Sequence, residues 1–217
     1  MVKTKKMMLA IIMVAAAMFV FSAPARAEPY VSGYLGAAFP HDSNIDDNSG
    51  LGILYGDMEF DNGWALGAKG GYWFEEQNLP SLGLELDLNA HFPKASKINA
   101  SGVGLSTGAD VTVWSYTVNF LLRYPEGNFR PYGGVGGGWF FGKVDDGTIA
   151  GVPFNGGSDS AYGWQVLAGL DYLINPNVSV FVEYKYSRAD FEFGGDLMFE
   201  VTYAVSQVYA GISYNFR

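Results

Sequence analysis

The chain has 217 residues with 22 acidic and 13 basic side chains, a net charge of −9, 29 glycines and no cysteine. That balance repels phosphate backbones and argues against nucleic-acid binding, and the absence of cysteine excludes a disulfide framework and thiol chemistry. The length suits a single domain.

In chain order the first element is a leader. Lys3, Lys5 and Lys6 precede an apolar run from Met7 to Phe21, and Ala25-Arg26-Ala27 offers a small-residue cleavage site before Glu28. This order predicts a secretory signal peptide over 1–27. The run is short of the ~20 residues that a spanning helix needs. Its removal leaves 28–217 as one domain with nine basic against 22 acidic residues, a net charge of −13.

Period-two alternation then predicts eight strands, with cores near 30–39, 63–74, 81–92, 111–124, 129–141, 162–173, 178–187 and 203–216. The third is the clearest. Leu82, Leu84, Leu86, Leu88, Ala90 and Phe92 alternate with Gly83, Glu85, Asp87, Asn89 and His91, giving one purely apolar face and one charged face. Each core reaches the about 9–11 residues of a tilted membrane strand. Connections at Glu75 to Pro80, Pro125 to Asn128 and Ile174 to Asn177 are short, whereas 40–62, 93–110, 142–161 and 188–202 are long. Short turns at one end and long loops at the other predict an all-β, eight-stranded antiparallel up-and-down transmembrane β-barrel with periplasmic short turns.

Alternation alone also fits a soluble barrel whose apolar rows point inward. Aromatic placement separates the two. Trp64, Phe92, Trp114, Trp139, Trp164 and Tyr186 fall at the long-loop end of their strands, and Tyr72, Tyr124, Tyr172, Tyr214 and Phe216 at the short-turn end. Two aromatic girdles separated by aliphatic residues match the two interfaces of a lipid slab.

Three segments carry a family likeness: Arg130-Pro-Tyr-Gly-Gly-Val-Gly-Gly-Gly-Trp139, Gly163-Trp-Gln-Val-Leu-Ala-Gly-Leu-Asp-Tyr172 with Asn177-Val-Ser-Val-Phe-Val-Glu-Tyr-Lys-Tyr186, and Tyr209-Ala-Gly-Ile-Ser-Tyr-Asn-Phe216. They resemble the small outer-membrane β-barrel domain family, the OmpA/OmpX-like or porin-family barrels of Gram-negative bacteria. The resemblance spans 28–217 and implies insertion by the barrel-assembly machinery among outer-membrane lipid and lipopolysaccharide. Members commonly end on an aromatic, and here Arg217 follows Phe216.

On the lumen face the alternation places Lys69, Glu85, Asp87, Asn89, His91, Thr117, Asn119, Arg123, Arg130, Tyr132, Gln165, Asp171, Glu183, Lys185, Gln207 and Tyr209. A hairpin turning about Gln77 and Asn78 sets Lys69 opposite Glu85 and Asp87, which predicts that these three pair. Eight strands leave an interior just wide enough for side chains, so Lys69, Glu85, Asp87, Arg123, Asp171, Glu183 and Lys185 are expected to form a polar plug, with a narrow ion path as the alternative. Gly134, Gly136 and Gly138 are expected to leave local space beside Tyr132 and Phe140.

Little suggests catalysis, and no enzyme activity or cofactor is expected. The only histidines are His41 and His91. His41-Asp42-Ser43 has the residue types of a triad, but a triad is assembled by geometry rather than adjacency. A lipid-acting enzyme using His41 or His91 is the third reading. Asp42, Asn44, Asp46 and Asp47 form a weak calcium candidate, and Asp57, Glu59 and Asp61 add hard oxygen ligands nearby. An EF-hand is excluded because Asp47 stands where that loop needs glycine and Ile53 where it needs glutamate. The long loops mix apolar residues with charge and are the expected contact surface for an extracellular ligand.

Overall fold

A computed structural model describes residues 27–41, 43–47, 56–74, 81–100, 103–144, 147–149, 152–154, 157–193 and 199–216. The predicted leader up to residue 26, the turn at 75–80 and Arg217 lie outside them. Eight long strands form the wall: β1 (Ala27–Pro40), β2 (Gly56–Phe74), β3 (Ser81–Ala100), β4 (Val103–Arg123), β5 (Phe129–Val144), β6 (Gly157–Asn175), β7 (Val178–Phe193) and β8 (Phe199–Asn215). Each pairs antiparallel with its chain neighbour. β8 returns to β1, with Tyr30 opposite Asn215 and Pro40 opposite Val205, which closes an up-and-down barrel.

The closure follows from the solvent. Hydrocarbon offers no partner for a free amide, so a sheet can span it only without edges. The alternating rows then take opposite faces. Leu35 is 71% exposed and Phe120 68%, whereas Glu85, Asp87 and Lys185 are each 1% exposed. All sixteen residues assigned to the lumen from the sequence are buried.

The girdles appear as linked rings. At the long-loop end Trp64 stacks on Phe92 at 4.4 Å, Trp139 meets Tyr162 at 5.6 Å and Trp164 meets Tyr186 at 5.7 Å; Trp114 is exposed on the same belt. At the short-turn end Phe129 meets Tyr172 at 4.7 Å and Tyr214 meets Phe216 at 5.0 Å, with Tyr124 exposed beside them. Tyr72 holds its predicted place on the outward row, between Pro29 and Leu84 in the ladder, but is buried there.

The segments expected to be long loops are largely strand. β3 and β4 stay paired up to Ala100 and Val103, and β7 and β8 up to Phe193 and Phe199. Beyond Phe92, β3 continues for eight residues, roughly 25 Å of extended chain at ~3.4 Å per residue. The short strand Ser43–Asp47 pairs with both β2 and β8 above the end of β1. It continues the wall where β1 stops, so Asn44, Asp46 and Asp47 lie on an extended backbone rather than a calcium-wrapping loop; Asp42 is outside the described residues. A small hairpin, Gly147–Ile149 with Val152–Phe154, rests on β4 at Thr107.

The glycines of β5 leave less space than their sequence suggests. A Cβ on Gly136 would collide with the Asn119 side chain and the Val118 carbonyl, and one on Gly134 with Leu121. The facing strand fills the gap. A Cβ on the lipid-facing Gly33 would meet nothing within 4 Å. Gly136→Leu is therefore expected to destabilise the barrel by about 1–3 kcal/mol through overpacking, while Gly33→Leu stays within about 0.5 kcal/mol of the parent. Urea titration of the heat-modifiable form in lipid vesicles measures both, and equal effects would contradict the assigned faces.

Candidate functional site

The lumen is stacked in layers, each built from inward positions of different strands. Near the short-turn end, Arg123 of β4 ion-pairs with Glu28 of β1 at 2.9 Å and lies 4.2 Å from the Trp73 ring. Arg130 and Asp171 face each other across the β5–β6 ladder, and Arg130 donates to the Gly127 carbonyl at 3.2 Å. A cavity of about 20 Å³ lies above, bordered by Lys69, Glu85, Arg123, Asp171, Ser179 and Asn215 among others. It has room for about one water.

The middle layer holds two lysines and three carboxylates. Lys69 pairs with Glu85 at 3.3 Å and with Glu183. Lys185 pairs with Asp87 and lies 3.5 Å from Glu183. Of the predicted trio Lys69 and Glu85 do pair, while Asp87 pairs with Lys185 instead. Asp87 is opposite Lys69 in the ladder, yet the Lys69 ammonium crosses the lumen to Glu183. The exchange gives every lysine two carboxylates and leaves none of the five groups alone, which a buried charge requires. Each carboxylate also accepts from a tyrosine: Tyr30 donates to Glu85 at 2.6 Å, Tyr34 to Asp87 at 2.5 Å and Tyr132 to Glu183 at 2.8 Å. Three phenols thus offset the excess of one negative charge. The lysines also lie against ring faces, Lys69 at 4.5 Å from Phe181 and Lys185 at 5.2 Å from Tyr209.

Amides form the next layer. Asn119 donates to Glu85 at 2.9 Å, and Gln165 bridges Asn119 at 2.7 Å and Thr117 at 2.9 Å. Asn89 donates to Tyr209 at 2.7 Å. His91 lies 2.7 Å from the Tyr203 hydroxyl through Nε2 and 3.3 Å from both Asn89 and Gln207 through Nδ1. It is buried among these partners, out of contact with lipid.

Above His91 the interior turns apolar. Ala38, Ala65, Val111, Val113, Phe140, Ala161, Ala189, Phe191 and Val205 belong to one buried cluster that continues down to Tyr34 and Tyr209. Ala161, Ala189 and Phe191 of this cap fall in segments that the sequence presents as loops, whereas Ala38, Ala65, Val111, Val113 and Val205 lie in predicted strands but carry no polar side chain to mark the lumen face. The sequence reading also missed Glu28, Tyr30 and Tyr34, although Tyr30, Ser32 and Tyr34 alternate with the outward row Val31, Gly33 and Leu35. His41 sits elsewhere, exposed on the outer surface with its ring 2.9 Å from Ser206; Asp42 of the sequence candidate lies outside the described residues. Among the described residues no three His, Asp or Glu side chains converge as a metal site.

The model of the outer membrane protein beta-barrel domain family matches residues 9–216. The 31 kDa outer-membrane immunogenic protein of Brucella melitensis is 29% identical over 168 residues, covering 72% of this chain and 67% of that one. Among solved structures, OprG from Pseudomonas aeruginosa aligns with a TM-score of 0.53 at 19% identity, over 88% of this chain and 96% of that one. Neisserial surface protein A gives 0.52 at 18%, over 88% and 99%. At these identities the structural likeness concerns the fold.

The lysine wiring predicts a specific pattern of damage. Asp87→Asn strands Lys185 with one carboxylate and is expected to cost roughly 3–5 kcal/mol, whereas Asp87→Leu with Lys185→Met removes both charges and recovers most of the loss. Unfolding midpoints in vesicles give the comparison, and a double variant worse than the single would refute the pairing.

Proposed function

Because the chain belongs to the outer membrane protein beta-barrel domain family, we propose that it is a structural and surface-interaction protein acting through the hairpins beyond its extracellular belt. The protein resides in the outer membrane, with lipid against its apolar rows. One contrast carries the reading. The lumen is filled at successive levels by ion pairs, amides and an apolar cap, while the β3–β4 hairpin runs far past Phe92. A filled interior costs a solute path its water; a hairpin that projects past the belt is reachable from outside. Beyond Phe92 the sequence of that hairpin holds the apolar residues Ile98, Val103 and Leu105 among Lys94, Lys97 and Asp110. The name of the Brucella relative, an immunogenic protein, supports a role at the cell surface.

Two experiments test the reading. In planar bilayers the refolded barrel is expected to be silent, as are Lys69→Met and Glu85→Gln; steady conductance changed by either variant would replace this reading with an ion path. Antibodies raised against the refolded protein should label intact cells. Deleting residues 96–107 and 194–198 is expected to remove most of that labelling while the heat-modifiable shift persists. Undiminished labelling would place the exposed surface elsewhere.

A further inference from the structure

One polar constellation lies on the lipid-facing surface. At the end of β1 the His41 amide donates to the Ala204 carbonyl at 2.9 Å, which holds His41 against β8. Its Nε2 is 2.9 Å from Ser206 Oγ, and the Tyr184 hydroxyl is 2.9 Å from that same oxygen. The Tyr186 ring lies 5.8 Å from the imidazole. In the ladders Ser206 stands between Phe39 of β1 and Tyr186 of β7, at the level of the outer aromatic belt. His41 and Tyr184 are both exposed.

The hydroxyl chemistry orders these contacts. A serine oxygen has one proton and two lone pairs. The two 2.9 Å contacts fit the order in which Tyr184 donates to one lone pair and the Ser206 proton points at His41 Nε2. That is a nucleophile and its base in hydrogen-bond reach. Depth supplies a substrate. Aromatic belts sit at the headgroup level, and acyl esters join headgroup to chain at that same boundary. Half-exposed Ser206 lies at that depth, where both esters and interfacial water are within reach.

We propose that Ser206 and His41 form a catalytic dyad that hydrolyses acyl esters of outer-leaflet lipid. Ser206 Oγ bonds to the ester carbonyl carbon as its proton passes to Nε2, and Tyr184 donates to the developing oxyanion. The C–O bond to the alcohol then breaks, and the leaving oxygen takes the proton from the imidazolium. Water, deprotonated by His41, attacks the acyl-serine; the fatty acid departs and the proton returns to Ser206. The balance is ester plus water giving alcohol plus carboxylic acid.

The test uses the full barrel refolded into two kinds of vesicle, diacyl phosphatidylethanolamine alone and the same lipid with lipid A. A fluorophosphonate probe read by mass spectrometry is expected to mark Ser206 in the parent, with labelling absent in Ser206→Ala and at least tenfold lower in His41→Gln. Free fatty acid should appear in at least one vesicle type and vanish with either variant; the arm in which it appears identifies the lipid. A heat-modifiable barrel that releases no fatty acid in either arm overturns the proposal. So does labelling unchanged by His41→Gln. Because both side chains lie on the outer surface, their variants leave the lumen packing in place, and loss of this activity would not touch the surface-hairpin reading.

Discussion

The backbone's need for hydrogen bonds in a solvent that supplies none governs this molecule. A chain crossing hydrocarbon as strands can meet it only by joining its last strand to its first. Closure then forces alternate residues into a narrow tube and the rest against lipid. A tube of eight strands has no room for a column of water beside long side chains, so whatever points inward must satisfy itself. The two lysines, three carboxylates and three tyrosines of the middle layer meet that demand, and the amide layer between Asn119, Gln165 and Asn89 extends it.

Polarity reverses along the barrel axis. Between the belts the strands are apolar outside and polar inside. Past the outer belt, Arg188 and Asp190 face outward and pair at 3.6 Å with about half their side-chain area exposed, while Ala189 and Phe191 between them are buried. The wall there is surrounded by water and needs a dry core of its own, as any soluble sheet does. One strand, β7, thus obeys membrane rules at Tyr184 and soluble rules at Phe191. The apolar cap above His91 is that second core.

This reversal marks what could be read from the sequence. The fold was legible because all eight strands carry outward rows without a charge, and because tryptophan and tyrosine sort by height. The lumen residues were legible for the same reason, as the complement of those rows. The upper hairpins were not: at the belt the polar and apolar rows exchange faces, and the alternation no longer matches the pattern below. Nor was the wiring of the charges. Local register puts Lys69 beside Glu85 and Asp87, but of the two carboxylates it reaches, Glu85 and Glu183, the second belongs to β7, 114 residues away in sequence, and only the closed tube brings Lys69 and Glu183 together. His41 and Ser206 are similarly remote, 165 residues apart.

The seam between β1 and β8 has a temporal meaning. Tyr30 stands opposite Asn215 and the Phe216 amide donates to the Pro29 carbonyl, so the ladder cannot close until the chain has been made at least to Phe216. Until then Lys69, Glu183 and their partners have no enclosure, and a partly synthesised chain would offer open strand edges and unshielded apolar rows. Long-range closure of this kind is slow to nucleate. The polypeptide therefore needs protection from self-association until its first and last strands meet.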